Sequence, residues 1–256
     1  MRDYTKLFSL KDEVAVVVGG AGGIGREIVS ALSQFGAKVV IVSKTNKKLK
    51  YFYDEYRSIG RDISFFECDI TDENAVIDIF ENIKKTYGTI DILINAAAIN
   101  ILDEITDCSL EDWNRIMDIN LKGTFLCSRE VAKIMKAKKK GKIINFASLA
   151  AVSGHKRHGA YAASKAGVVM FTKVLANELA EFNVNVNAIG PACIVTDVNR
   201  TFFEDKDNFT EIVDEIPLKR LGTPEDIVGG VIYLASKASN FVSGILLLVD
   251  GAASAV

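Results

Sequence analysis

The chain is poor in the residues that secreted, metal-binding and histidine-driven proteins rely on. Among 256 residues there are four cysteines, two histidines, three prolines and one tryptophan. Cys68, Cys108, Cys127 and Cys193 are scattered, with no C-x-x-C pair and no disulfide-like framework. Such usage reads as reduced thiols in a cytoplasmic chain. No spacing of cysteine, histidine or carboxylate suggests metal ligands, so no metal is expected. Both histidines, His155 and His158, fall in one loop, which argues against histidine-based catalysis. The opening MRDYTKLFSLKDEV has no apolar signal core, and no apolar run approaches the ~20 residues that span a membrane. Neither charge sign dominates: 31 Lys and Arg face 33 Asp and Glu, a net charge of -2. That balance gives no reason to expect nucleic acid or an anionic membrane as a partner. The one basic run, K-A-K-K-K-G-K at 136–142, reads as a solvated helix end and turn, or else as a docking patch for an acidic partner.

What is abundant is apolar sequence, 49% of the chain, enough for a sizeable core. Short β-branched runs read as buried strands: V-A-V-V-V (14–18), V-V-I-V (39–42), I-S-F-F (63–66), I-L-I (92–94), I-I-N-F (143–146), V-N-V-N-A-I (184–189) and I-L-L-L-V (245–249). Amphipathic helical stretches such as 73–87 and 162–182 lie between them. Strands separated by helices imply right-handed parallel crossovers. The expected fold is α/β: a single doubly wound Rossmann domain over 1–256, with about seven parallel strands and helices on both faces. All three prolines fall in the last third, and the polar segment 196–217 reads as an insertion, a substrate lid.

The first strand runs into V-G-G-A-G-G-I-G (18–25). Two registers fit: G-x-G-x-x-G on Gly20, Gly22 and Gly25, or G-x-x-x-G-x-G on Gly19, Gly23 and Gly25. In either, a strand ends, a tight turn follows and a helix N-terminus offers free N–H groups to a phosphate. After the second strand, where an acid would bind the ribose of NAD, stand Ser43 and Lys44. A hydroxyl and an ammonium suit a 2′-phosphate, so NADP(H) is favoured, with NAD(H) possible.

Two stretches, Y-A-A-S-K (161–165) and Y-L-A-S-K (233–237), place a Lys four residues after a Tyr, on one helix face. A nearby ammonium favours phenolate, and spacing alone leaves both pairs open. Strand context separates them. I-I-N-F-A-S ends a strand and presents Ser148, thirteen residues before Tyr161, whereas Arg220, thirteen before Tyr233, follows no strand. Carbonyl reduction needs a proton for the alkoxide and donors to polarise the carbonyl. In an open α/β sheet such groups belong beyond the C-terminal strand ends.

In order, the chain carries Gly19-x-x-x-Gly23-Ile24-Gly25, Asp69 in C-D-I, Asn95 in N-A-A-A, Asn120 in D-I-N-L-K-G, Ser148, Tyr161-x-x-x-Lys165, and Pro191 to Thr196 in P-A-C-I-V-T. This series resembles the short-chain dehydrogenase/reductase family over nearly the whole chain. The resemblance makes Y-A-A-S-K the catalytic pair and leaves Y-L-A-S-K as a helix end, Tyr233 packed and Lys237 solvated. It implies that Tyr161 exchanges the proton with the substrate oxygen and that Ser148 hydrogen-bonds that oxygen. Lys165 would depress the tyrosine pKa and hold the nicotinamide ribose, and Asn120 would kink its helix and hold a relay water. Asp69 and Ile70 would contact adenine and Asn95 would sit beside the cofactor. Ile194 and Thr196, after Pro191, would hold the carboxamide. The family usually has Thr at Val18, Asn and Gly at Ala96 and Ala98, and Gly at Ala192, which puts loop geometry in question.

Substrate choice is expected from Ile99 to Leu102, from the loop holding His155, Lys156, Arg157 and His158, and from the insertion after Thr196. Asn100, Asn199 and Arg200 are further polar candidates. F-S-L-K-D-E-V-A and R-L-G-T-P-E-D-I look like sugar-, polyol- and sugar-acid-active members such as gluconate 5-dehydrogenases. The reaction expected is interconversion of a secondary alcohol and a ketone on a small hydroxylated molecule, by what the family implies is a homotetramer. One alternative is reduction of a beta-ketoacyl group on a carrier protein, against which Asn177 stands where Arg is common. Another is a non-catalytic dinucleotide-binding scaffold.

Overall fold

A computed structural model describes residues 3–44, 56, 60–197 and 199–255. Its centre is one sheet of seven strands: β1 (Val14–Val18), β2 (Lys38–Ser43), β3 (Ile63–Glu67), β4 (Ile92–Asn95), β5 (Gly141–Phe146), β6 (Val184–Pro191) and β7 (Leu246–Val249). Their order is β3-β2-β1-β4-β5-β6-β7 and every neighbouring pair is parallel. All seven expected strands form. The last begins at Leu246, because Ile245 instead gives its carbonyl to Ala188 and its N–H to the Asn187 side chain.

Side chains alternate between faces along a strand, and both faces of this sheet are covered, so the central strands read as unbroken apolar runs. In β1, Ala15 and Val17 pack on one side with α1 (Gly23–Gln34) and α8 (Pro224–Ala235), through Ile28, Leu32, Ile227 and Val231. Val14, Val16 and Val18 face the other side. There they meet α2 (Glu73–Tyr87), α4 (Gly123–Lys138) and α5 (Gly159–Leu179), through Phe80, Val131, Leu175 and Leu179. Each such side chain contributes about 1.5–3 kcal/mol on burial.

Local chemistry sets the helix ends. Asp72 accepts from Asn74 and Ala75 N–H at the start of α2, and Gly88, at φ 78°, ends it. Pro224 opens α8 behind a Thr223–Asp226 capping box. Tyr233 packs against the core near the end of α8 and Lys237 is exposed, as read for Y-L-A-S-K. Between β4 and β5 the chain forms α3 (Leu110–Met117), a π-helical turn (Asp118–Lys122) and then α4. The 196–217 segment carries α6 (Arg200–Phe203) and α7 (Lys206–Asp214); Val198 lies outside the described residues. No helix among the described residues is long and apolar enough to cross a membrane.

The basic run at 136–142 is not simply solvated. Lys138 pairs with buried Asp91, and half-buried Lys142 hydrogen-bonds Asn185 and Ser239. Residues brought close only by the fold supply these partners.

Candidate active site

The sheet order reverses between β1, which leads to β2 and β3, and β4, which leads the other way. Beyond the C-terminal ends of these two strands lies the crevice where open α/β sheets bind ligands. Gly19 leaves β1 at φ 84°, and a Cβ there would lie 2.6 Å from Ala97 N. At Gly23 a Cβ would lie 2.7 Å from Thr196 Cβ. Position 22 has ordinary clearance, which favours the register Gly19, Gly23, Gly25. Helix α1 then starts at Gly23, and its N-cap, Gly22, supplies no side-chain hydrogen bond. Uncapped N–H groups at a turn with no room for side chains fit a phosphate. Ile24 begins the α1 face that packs against the core.

Ser43 ends β2, half-buried, and Lys44 follows it, exposed. Lys44 is not idle: its Nζ lies 2.6 Å from Asp69 Oδ2. That bond, with the Thr71 N–H and hydroxyl on Asp69 Oδ1, holds the Asp69 carboxyl at about 2. The side chain of Ile70 is buried and packs over Gly123 at the start of α4.

On the catalytic side, Ser148 stands just past β5 and accepts from Ala150 N–H at 3.2 Å. Lys165, one helical turn after Tyr161 on α5, has its Nζ 5.7 Å from the Tyr161 ring centroid. The ammonium is 2% exposed and donates to Phe146 O at 2.7 Å. Burial pulls it down to about 8. With one acceptor for three N–H groups, it retains donors for further hydroxyls.

One expectation reverses here. Spacing suggested that Lys165 would lower the Tyr161 pKa. In the structure burial dominates and pushes the phenol up, while the Ser148 hydroxyl acts more weakly in the opposite direction. Proximity in sequence carries no information about desolvation.

Asn120 is fully buried within the π-helical turn. Its amide accepts from Ile99 N–H (2.9 Å) and donates to Ile99 O (2.9 Å) and Ser164 Oγ (3.1 Å). Its carbonyl receives the Thr124 hydroxyl at 2.7 Å. The expected break in the helix is thus a widened turn, and the side chain ties the loop after β4 to α5.

Asn95 is also interior: its Nδ2 donates to Ser128 Oγ and to Asn145 Oδ1, and Asn145 passes the chain on to Thr172. The side chain therefore pins β4 to α4 and β5, and the loop that follows it borders the glycine turn. Asn95 Oδ1 is buried with no hydrogen-bond partner among the described residues.

Pro191 ends β6, and Ala192 N–H bonds Val249 O. Ile194 is buried beside Gly222. Asn199, read from sequence as a polar substrate candidate, is instead a clamp. It accepts from Thr196 N–H (2.7 Å) and Thr196 Oγ1 (3.1 Å) and donates to Ile194 O (2.9 Å). Arg200 pairs with Asp197 at the surface.

In the loop before α5, His155, Lys156 and Arg157 are exposed, with Arg157 bound to Leu102 O. His158 is half-buried with its ring 6.1 Å from that of Tyr161. Its Nδ1 faces the Lys156 carbonyl, which only accepts, so Nδ1 carries the proton and Nε2 is left for other contacts. Ser164, Thr124, Phe146 O and Asn145 were not singled out from sequence. Ser164 lies inside Y-A-A-S-K, and Asn145 interrupts an apolar strand, which is the kind of signal that marks a buried polar link.

A family model described as enoyl-(acyl carrier protein) reductase, one of the short-chain dehydrogenase/reductase models, matches residues 19–253. The chain belongs to the short-chain dehydrogenase/reductase family. It is an oxidoreductase of CH–OH groups that uses NAD(P). It is 36% identical to the 2-dehydro-3-deoxy-D-gluconate 5-dehydrogenase of Pseudoalteromonas atlantica over 245 residues, 95% of this chain and 96% of the relative. It is 35% identical over 252 residues to an NAD-dependent glycerol dehydrogenase of Listeria innocua, covering 98% and 97%. A crystal structure of a gluconate 5-dehydrogenase from Burkholderia cenocepacia, in complex with NADP and tartrate, superposes with a TM-score of 0.95. That protein is 29% identical, with 99% and 100% of the two chains covered.

Proposed function

We propose that this member of the short-chain dehydrogenase/reductase family interconverts a secondary alcohol and a ketone on a sugar acid or polyol, with Asn120, Ser148, Tyr161 and Lys165 as its catalytic set. The observation that carries the reading is the convergence of Ser148, Tyr161 and Lys165 beyond β5, in a crevice shared with a glycine-rich turn suited to phosphate. Relatives named for gluconate and glycerol chemistry support the substrate class. A bound nicotinamide would supply or accept the hydride. Gly19, Gly23, Ile24 and Gly25 would hold its pyrophosphate, Ser43, Lys44, Asp69 and Ile70 the adenosine end, and Asn95, Pro191, Ile194 and Thr196 the nicotinamide end.

The chain's own groups then divide the proton work. Ser148 donates to the substrate oxygen and fixes its position. Tyr161, kept protonated by burial, gives its proton to the alkoxide in reduction. In oxidation it must take a proton, and the Ser148 hydroxyl bonded to it is the group that favours the phenolate against the cost of burial. Asn120 holds the Ile99 loop and Ser164 against α5, keeping Tyr161 in register.

NADP(H) is the preferred cofactor in this reading, with NAD(H) possible. No carboxylate ends β2, and a Lys44 ammonium loosely tied at the surface is available to a 2′-phosphate. The chain would act as one domain with 196–217 as a lid over the substrate, since Thr196 already packs on the glycine turn. Exposed Met170 and Val174 on α5 and the half-exposed edge strand β7 suit a homotetramer. Four free thiols suit the cytoplasm. The carrier-protein alternative keeps a reduced patch: Lys138 and Lys142 of the basic run are held within the fold, while Lys133, Lys136 and Lys139 stay exposed.

The test is loss of nicotinamide absorbance with NADPH, and separately NADH, across keto-sugar acids, ketoses, diketones and a beta-ketoacyl thioester. Turnover of keto-sugar acids or ketoses with NADPH preferred is expected. Activity on the thioester alone, or cofactor binding without turnover, would overturn it.

A further inference from the structure

At the end of the sheet opposite the catalytic residues, the N-terminal ends of β1, β4, β5 and β6 surround a cavity of about 120 Å³. Its wall includes Glu13, Asp91, Lys140, Lys142, Asn185 and Lys237. This is room for several waters or for one tetrahedral ion.

The charges in this wall do not cancel. Each carboxylate already has its own lysine: Glu13 Oε1 lies 2.6 Å from Lys140 Nζ, and Asp91 is paired with Lys138 while also accepting Val14 N–H at 2.8 Å. Burial pushes the Asp91 carboxyl up, but the Lys138 ammonium and the Val14 N–H outweigh it, so Asp91 stays ionised. Two ammonium groups are left over. Lys142 Nζ, half-buried in β5, has among the described residues only the neutral acceptors Asn185 Oδ1 (2.9 Å) and Ser239 Oγ (3.2 Å). Lys237, exposed at the rim, has no ion pair among the described residues.

We propose that this cavity binds a small tetrahedral oxyanion, either free phosphate or the phosphate group of a small metabolite, between Lys142 and Lys237. Burial holds the Lys142 ammonium at about 8, because the attraction of Glu13, itself paired with Lys140, offsets only part of the cost. An anion in the cavity would meet its remaining N–H and restore that balance. None of the catalytic or dinucleotide-binding groups takes part, so the site would exist whatever the substrate proves to be.

Thermal unfolding of the full chain tests this, at constant ionic strength and with saturating NADP(H) so that the dinucleotide crevice is filled. Inorganic phosphate, glycerol 3-phosphate and chloride are compared. A ligand at about 100 times its dissociation constant should raise Tm by roughly 5 °C over chloride. A rise with inorganic phosphate supports the free ion, and a rise with glycerol 3-phosphate alone supports a metabolite's phosphate group. The increment should vanish in Lys142→Met, shrink in Lys237→Ala and persist in Ser148→Ala. If neither phosphate exceeds chloride, or if Lys142→Met keeps the full increment, the site does not exist. Should Lys142→Met fail to fold, an unchanged increment in the exposed Lys237→Ala would overturn the proposal equally.

Discussion

Lys165→Met isolates the electrostatic cost of the buried ammonium proposed for the catalytic set. In the folded chain the group is buried, bonded to one carbonyl and held at about 8, whereas an unfolded lysine titrates near ~10.4. Below pH 8 both states carry the proton, and the folded state bears the full penalty of burying the charge. Between pH 8 and about 10.4 the folded chain has released the proton while the unfolded chain keeps it, so stability rises with pH. Integrating the two titrations from pH 7 to 9.5 gives a gain of about 2 kcal/mol for the wild-type chain. The variant lacks it. Lys142, also held at about 8, is present in both chains and cancels. Tyr161, pushed up by burial, keeps its proton in the folded chain across this window. Urea unfolding at fixed protein concentration, at pH 7 and 9.5, gives the two stability differences. The wild-type advantage should grow by about 2 kcal/mol. A difference that stays constant within about 0.5 kcal/mol would mean that the ammonium is compensated in the fold, and the account of its poise would be wrong.

Three further substitutions probe the remaining parts. Tyr161→Phe should abolish turnover in both directions while cofactor fluorescence still reports binding; near wild-type turnover would remove the proton-transfer role. Lys44→Asp should raise KM for NADPH far more than for NADH, and equal changes would show that Lys44 meets no 2′-phosphate. The pair it leaves with Asp69 is largely exposed at Lys44, so stability should fall by less than about 1 kcal/mol. Asn199→Ala removes three hydrogen bonds from the 194–199 turn. It should cost about 1–3 kcal/mol and raise KM for the dinucleotide more than it lowers kcat; unchanged kinetics would show that this turn does not border the cofactor.

Much of the architecture was legible because a parallel sheet covered on both faces imposes a strong pattern. Runs such as V-A-V-V-V and V-V-I-V are continuous because neither face of β1 or β2 meets water. The long helix α5 was legible, with Tyr161 read at its opening, although its first two residues, Gly159 and Ala160, were not. Tyr161, Lys165 and Ser148 could be singled out because the order of their motifs resembles the family's, with Ser148 at a strand end and Tyr161 and Lys165 one helical turn apart. What stayed hidden depends on contacts distant in sequence. Lys142 and Ser239 are 97 residues apart, Lys138 and Asp91 47, and Asn120 and Ser164 44. No local period encodes them. Asn199 shows a related limit: an asparagine that clamps its own turn and one that meets a ligand look alike in sequence until the neighbouring N–H groups are placed. The direction of the Tyr161 shift depended on burial, which the spacing of two residues does not contain.

The loop after β4 shows how substitutions at Val18, Ala96 and Ala98 are accommodated. A threonine hydroxyl at position 18 would brace this loop, but Val18 is buried in the core facing α2, α4 and α5 and contributes apolar surface instead. The bracing runs through the backbone: Ala96 N–H donates to Val18 O at 2.9 Å, and Gly19 N–H to Val42 O at 2.8 Å. Ala97 closes on Gly19, where only a hydrogen fits. At the far end both the N–H and the carbonyl of Ile99 are held by Asn120. Ala98, exposed between these two anchors, has no glycine-like geometry to satisfy, since its φ is not among the positive ones. With Asn95 fixed by Ser128 and Asn145 at one end and Ile99 fixed at the other, only three alanines span the gap, and the loop's path follows from its anchors. The same Asn120 that holds the loop also bonds Ser164, one residue before Lys165. The wall beside the glycine turn and the helix carrying Tyr161 and Lys165 therefore share a single buried amide as their reference point.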